Sequence, residues 1–334
     1  VESIRVTELG KTFRLKRKRE GLAGSVRSLL RPDYVEKAAV EGVTFTVRQG
    51  EKLAFVGPNG AGKSTTIKML TGILHPTSGH AEVLGLNPWK ERMKLAHCIG
   101  SVFGQKSQLW YHLPPSDTFE LMSRIYELRR SDYVQRRDEL IERFDIGPHL
   151  HTAVRKLSLG ERMRCEIAAS LLHRPQVIFL DEPTIGLDVV VKQRIRELVN
   201  ELNREEGTTL FLTSHDAGDV ERLCDRAIVI NGGRMIFDDR VELMKRRFLT
   251  HKTVQLVLHE EPGSLQMPGV QEQARDGVKL TLSVDMGVTS IEAVLSQIMA
   301  AYLLVDVTVE DPPMEEIITQ MYRTGVHEQE EGVG

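Results

Sequence analysis

The 334-residue sequence predicts an α/β domain with a mainly parallel sheet, an inserted helical subdomain, and a small α+β domain behind it. Three observations predict this. Short apolar runs alternate with amphipathic helical patterns from residue 43 to about 240. A glycine-rich turn, GPNGAGKST at 57–65, stands between an apolar strand run and a helical pattern. After about residue 245 a fresh pattern of strands and helices begins.

Taken in order, the first elements flank residues 14–38, which read as an insertion between two early strands. RLKRKREGLAGSVRSLLRPDY is basic, then glycine-bearing, with room for one short helix. It is either a contact to anionic headgroups or a membrane partner, or a solvated loop. The strand runs that follow are VTFTV 43–47, KLAFV 52–56, VIFL 177–180 and TLFLT 209–213. RAIVI, Asn231-Gly232-Gly233 and RMIF form a closing hairpin. Residues 106–173 read as the helical subdomain, with Phe119, Met122, Ile125 and Tyr126 after Pro114-Pro115-Ser116, then Leu140, Ile141 and Phe144. From 196 a helix places Leu198, Val199 and Leu202 on one face and stops at Gly207. TVQLVL 253–258, VKLTLSV 278–284 and LVDVTV 304–309 alternate as strands, while 290–302 and 314–322 have helical spacing. The expected organisation is a domain at 1–245, a second at 246–325, and an acidic tail at 326–334.

Bulk properties exclude several function classes. With 44 basic and 47 acidic side chains the net charge is −3, which gives no case for a nucleic-acid partner. Cys98, Cys165 and Cys224 are far apart and form no CxxC pair, so neither a disulfide framework nor a zinc site is expected. A reducing compartment fits that usage. No apolar run approaches the ~18 residues of a membrane span, and the start does not read as a signal peptide. A soluble or peripheral protein is expected.

Two motifs carry chemistry. Gly57, Pro58, Asn59, Gly60, Ala61, Gly62, Lys63, Ser64 and Thr65 have the spacing of a phosphate-binding loop. Glycines let backbone N–H groups wrap a phosphate chain, and the helix start adds partial positive charge. Lys63 suits the β- and γ-phosphates, and the Ser64 hydroxyl suits Mg²⁺. QVIFLDEPT at 176–184 delivers Asp181 and Glu182 at the C-terminal end of a buried strand, the edge where ligands sit in open α/β sheets. Asp181 suits Mg²⁺ held through water, and Glu182 the attacking water. A third stretch, LSLGE at 157–161, spaces Ser158 and Glu161 as a capping box. The same helix start suits an anion. One chain with one nucleotide needs only one cradle.

The order of Gly57–Thr65, Gln105, LSLGE, FLDEPT, GLD 186–188 and TSHD 213–216 resembles the nucleotide-binding subunit of an ABC transporter over residues 3–240. The resemblance implies two ATPase domains packed head to tail, each ATP between one phosphate loop and the other chain's signature turn. It implies ATP and Mg²⁺ as cofactors and Gln105 as the hinge glutamine at Mg²⁺ or the water. Ser158 and Gly160 become γ-phosphate binders in trans, Glu182 the catalytic base, and His215 the switch histidine. Asp188 becomes an interface aspartate. Here Leu159 stands for a glycine of the common LSGGQ pattern and Glu161 for its glutamine. Glu161 either brings negative charge near ATP or turns back to cap its own helix. Adenine stacks on Phe13 or, as second choice, on Tyr34.

The resemblance further implies a separate transmembrane permease, a homodimer or a heterodimer with a related ATPase, and a peripheral place on the cytoplasmic face of the plasma membrane. Trp110 and Tyr111 either help form the groove for that permease or pack within the helical subdomain. The IGLD turn and VEDPPMEEIITQMY resemble exporter ATPases for drugs, polysaccharides or lipids, and importer ATPases are the alternative. Soluble relatives acting on ribosomes or DNA carry paired cassettes, long coiled coils or zinc cysteines, which this sequence lacks. A phosphate-loop kinase or GTPase would need neither LSLGE nor His215.

Overall fold

β1 (Glu2–Lys16) and β2 (Tyr34–Arg48) form a long antiparallel ribbon, with Phe13 opposite Lys37 and Leu15 opposite Val35. The computed structural model describes residues 1–16, 34–104, 107–214, 216–248, 251–263, 265–311, 317–319 and 321. β3 (Lys52–Val56) leads through the glycine turn into α1 (Lys63–Leu70). β4 (Ser78–Val83), α2 (Arg92–Ala96) and β5 (Ile99–Phe103) follow. The helical region holds α3 (Pro115–Ile125), α4 (Arg130–Arg143) and α5 (Leu159–Ser170). The chain returns to the sheet through β6 (Val177–Asp181), α6 (Val189–Glu206), β7 (Thr209–Ser214) and α7 (Ala217–Leu223). The hairpin β8 (Arg226–Asn231) and β9 (Arg234–Arg240) ends the first of two compact units, Val1–Arg240 and Val241–Gly334.

The six-stranded sheet runs β5-β6-β7-β3-β8-β9, parallel except for the closing β8–β9 pair. This order positions the site. Val56 pairs with Ser214 and Asp181 with Thr213, so the C-terminal ends of β3, β6 and β7 meet at one edge. β2-β1-β4 forms a separate antiparallel sheet. Phe45 of that sheet packs on Phe55 and Phe211 of the larger one at 5.8 and 6.1 Å between ring centroids. Such pairs contribute about 0.5–1.5 kcal/mol each beyond their burial.

α3 begins with Pro115, whose missing N–H costs nothing in a first turn. α4 is tied to the end of α6 by Arg136, which is 1% exposed and donates to both oxygens of Glu206 at 2.6 and 2.9 Å.

The second unit comprises α8 (Val241–Phe248), β10 (His251–Leu258), β11 (Val270–Asp276), β12 (Lys279–Asp285), α9 (Ile291–Ala301) and β13 (Leu304–Glu310). Its antiparallel order is β11-β12-β10-β13. Val254, Leu256, Leu280 and Leu282 form its core with Val294 and Ile298 of α9.

The structure revises three local expectations. Strand pairing continues through residues 14–16 and 34–38, held by pairs such as Arg14–Glu36 at 2.9 Å. The insertion thus shrinks to 17–33, outside the described residues. The helix expected from 196 begins at Val189, because the Asp188 carboxylate accepts from Val191 N at 2.9 Å and starts it earlier. β11 and α8 are additional elements. Of the helix expected at 314–322, residues 317–319 and 321 are described and helical; the acidic tail 326–334 is outside the described residues.

Candidate functional site

Apolar β3 drives the chain into the sheet, and the glycine turn releases it at the sheet edge. Gly62 has φ +110°, and a Cβ there would lie 2.4 Å from the Ala39 carbonyl oxygen, so no other residue fits. α1 starts at Lys63 with no side-chain cap and no acidic residue in its first turn. Its N–H groups are left open to an anion. Lys63 is 5% exposed, and its Nζ donates to Gly57 O at 2.7 Å and Pro58 O at 3.3 Å. It also lies 3.6 Å from Glu182 Oε1. The ammonium is thereby held within the loop and paired with the acidic strand end. The cleft above has a volume of about 280 Å³ and is lined by Asn59–Thr65 and Glu182. A neighbouring cleft of about 330 Å³ reaches Phe103, Ser107, Gln108 and Asp181.

β6 places Asp181 and Glu182 against this loop. Asp181 Oδ1 accepts from Ser64 Oγ at 3.1 Å and from Thr213 Oγ1. A hydroxyl and a carboxylate this close are hard oxygen donors suited to Mg²⁺, which takes the rest of its shell from water and phosphate. Among the described residues no three His, Cys, Asp or Glu cluster as a self-sufficient metal site. Glu182 is 9% exposed and sits at φ +53°, rare for a side chain of its size. Its N–H donates to Thr213 O at 3.0 Å, which holds this strained turn at the strand end.

The second anion-suited turn lies elsewhere. Ser158 caps α5: its Oγ accepts from Glu161 N at 3.3 Å, and its own N donates to Glu161 Oε2 at 2.9 Å. The Glu161 carboxylate therefore turns back on its own helix. Its pKa is lowered, first by the Ser158 backbone hydrogen bond, with the nearby His149 and Arg164 contributing the same way. Gly160 is buried; a Cβ there would meet Val191 Cγ1 of α6 at 2.9 Å. Asp188 caps α6, and beside it Val189 and Val190 are 77% and 78% exposed. Leu159, at the departure from the common pattern, packs toward Gly186. Ser158, Gly160, Glu161 and Asp188 thus gather at the starts of α5 and α6, outside the lining of the phosphate-loop cleft.

Phe13 lies on β1 with the Lys11 ammonium 5.4 Å from its ring centroid, and Tyr34 at the start of β2 is 57% exposed. Trp110 and Tyr111 are exposed. Gln105 and His215 lie outside the described residues. Sequence reasoning missed Thr213 at Asp181 and the charged cluster of Thr184, Lys192, Arg196, Ser214, Asp216 and Asp219. The i,i+4 pair Lys192 and Arg196, read with the carboxylates after TSH, was the signal for it.

Comparison with known proteins identifies the family and the fold. A family model described as ABC transporter matches residues 40–185. The chain is 34% identical over 204 residues to the ABC transporter ATP-binding protein NatA of Bacillus subtilis, covering 61% of this chain and 82% of that protein. It is 32% identical over 214 residues to the bacitracin transport ATP-binding protein BcrA of Bacillus licheniformis, covering 64% and 69%. A solved ATP-binding subunit of an ABC transporter superposes with a TM-score of 0.61 at 25% identity, covering 73% of this chain and 92% of that one.

Proposed function

The chain belongs to the ATP-binding proteins of ABC transporters, and from that premise we propose that two copies pack head to tail around two ATP molecules and drive an exporter's separate membrane subunit. The protein is an ATPase. The single observation that supports the paired arrangement is the separation of the two cradles. The phosphate loop closes its cleft with Glu182 alone, whereas the capped turn at Ser158 is exposed and lies outside that lining. A second copy supplies the missing wall.

In this reading the loop N–H groups and Lys63 hold the β- and γ-phosphates. Ser64 and Asp181 hold Mg²⁺, which neutralises charge on the phosphates when bound. Glu182, set beside the loop at the strained strand end, takes the proton of the attacking water. Ser158 and Gly160 of the second copy meet the γ-phosphate, and Asp188 crosses the interface. Glu161 acts as a cap, since its carboxylate is already engaged by Ser158 N. Gln105 as hinge and His215 as switch rest on the family resemblance. Phe13 is the adenine platform, because Tyr34 sits farther along the ribbon from the Val40 and Ala39 that border Gly62.

No helix among the described residues is long and apolar enough to cross a membrane. In this reading, which rests on the family resemblance, membrane work falls to a separate permease, with Trp110 and Tyr111 on the surface that receives it and the chain peripheral on the cytoplasmic face. The export direction rests on the resemblance of the IGLD turn and of VEDPPMEEIITQMY to exporter ATPases.

Size-exclusion chromatography with light scattering on Glu182→Gln tests the arrangement. The variant binds Mg-ATP, hydrolyses it roughly 10²–10⁴-fold more slowly, and shifts from monomer to dimer on adding Mg-ATP. A species that stays monomeric with ATP demonstrably bound overturns the head-to-tail reading.

A further inference from the structure

Beneath the site lies a buried charge network that the assignments above leave unused. Asp219 is 0% exposed. Its Oδ1 accepts from Arg196 Nε at 2.8 Å and lies 2.6 Å from Arg196 Nη2. Its Oδ2 accepts from Ser214 Oγ at 2.9 Å and from Thr184 Oγ1. Asp216 Oδ1 accepts from Gly218 N at 2.9 Å and Arg196 Nη2 at 3.3 Å, and its Oδ2 accepts from Lys192 Nζ. Asp216 N donates to Ser214 Oγ at 2.9 Å. A Cβ on Gly218 would lie 3.1 Å from Arg196 Nη2, so the glycine leaves room for the guanidinium.

Two cations one turn apart on α6 are thus matched to two carboxylates, and every link to a carboxylate is charge-assisted. Burying such a set contributes little net stability compared with apolar packing of the same volume. What it fixes is geometry. It ties together three segments: Thr184, two residues beyond Glu182; α6, which Asp188 caps; and the backbone on both sides of position 215.

We propose that Arg196 is a positioning residue for ATP hydrolysis: through Asp219 and Asp216 it locks the backbone flanking His215 to α6 and to the segment following Glu182. The proposal rests on the reading of His215 as the switch residue. Arg196 touches no nucleotide. It acts by holding together the backbone on both sides of position 215, the segment after Glu182 and the start of α6, so its loss lowers kcat and spares ATP binding.

The test is a double-mutant cycle in the full chain with steady-state ATPase kinetics and thermal unfolding. Arg196→Met lowers kcat about tenfold or more, with KM changed less than about twofold. In a His215→Ala background the same substitution costs nothing further. Arg196→Lys, which keeps the charge, recovers part of the rate. An equal fold loss in both backgrounds overturns the proposal, because a merely structural role lowers both alike. A folded Arg196→Met with parental kcat also overturns it. If Arg196→Met does not fold, Lys192→Met, at a site 24% exposed, carries the same cycle with the same non-additivity expected. If instead His215→Ala retains parental activity, the switch reading falls and takes this inference with it. An impaired but additive His215→Ala sinks the inference alone.

Discussion

His173 joins the helical region to the sheet: its Nε2 donates to the Ile99 carbonyl at 2.9 Å, and its ring stacks on Tyr126 with centroids 3.8 Å apart. Its Nδ1 is buried without a hydrogen-bond partner. Burial lowers its pKa from 6.5 to about 4, and the Ile99 hydrogen bond opposes that shift only in part. The imidazole is therefore neutral in the fold. As pH falls the unfolded chain takes up the proton first, so the contribution present above pH 6.5 is lost between there and about 4. Its full extent is on the order of 3 kcal/mol. Denaturant midpoints measured at pH 7 and pH 5 should fall less steeply for His173→Phe than for the parent chain. Equal slopes would show that the acid sensitivity comes from other groups.

At the scale of elements, the contact between α5 and α6 turns on Gly160. Alanine in a helix is normally better than glycine by about 0.5–1 kcal/mol. Here the added Cβ would stand 2.9 Å from Val191 Cγ1, a side chain stiff about χ1. Gly160→Ala should destabilise by about 1 kcal/mol or more despite the better propensity. Gly160→Ala combined with Val191→Ala should recover most of that loss, and thermal melts of the two single variants and the double decide it; simple additivity would mean that the two helices do not meet there. The phosphate loop and the Asp181–Glu182 strand end were legible because each is a local motif whose strand and helix lie within a dozen residues. The hairpin at Gly232–Gly233 was legible for the same reason. β11 was not, since Gln271–Asp276 are exposed at a sheet edge and leave no apolar alternation. The start of α6 was hidden by Val189, Val190 and Val191, a β-branched run that the Asp188 cap overrides. The Arg196 network left only a partial trace, the i,i+4 spacing of Lys192 and Arg196, because Thr184 and Asp219 stand 35 positions apart and the parallel sheet brings them together.

For the whole molecule, the paired-site reading makes a demand that no single-chain mechanism can meet. In a dimer of two-fold symmetry each ATP site takes its phosphate loop from one copy and its signature turn from the other. Lys63→Ala removes the cation that the loop carbonyls hold 2.7 and 3.3 Å away, and spoils every site in its own homodimer. Ser158→Arg leaves the phosphate loop intact and fills the opposite wall, and so does the same. It also removes the cap of α5, a cost of about 1 kcal/mol, so unfolding must be checked alongside activity. Mixed in equal amounts, the two inactive variants form heterodimers in which both defects fall on one site and the other site is wholly normal. With random pairing about half of the dimers are mixed, and one of two sites works in each, so the mixture should recover up to about a quarter of parental ATPase activity. Chains that hydrolyse ATP alone would recover none, because neither variant then lends the other anything. Recovery that rises with total protein concentration and disappears on dilution would tie the activity to association of the two copies.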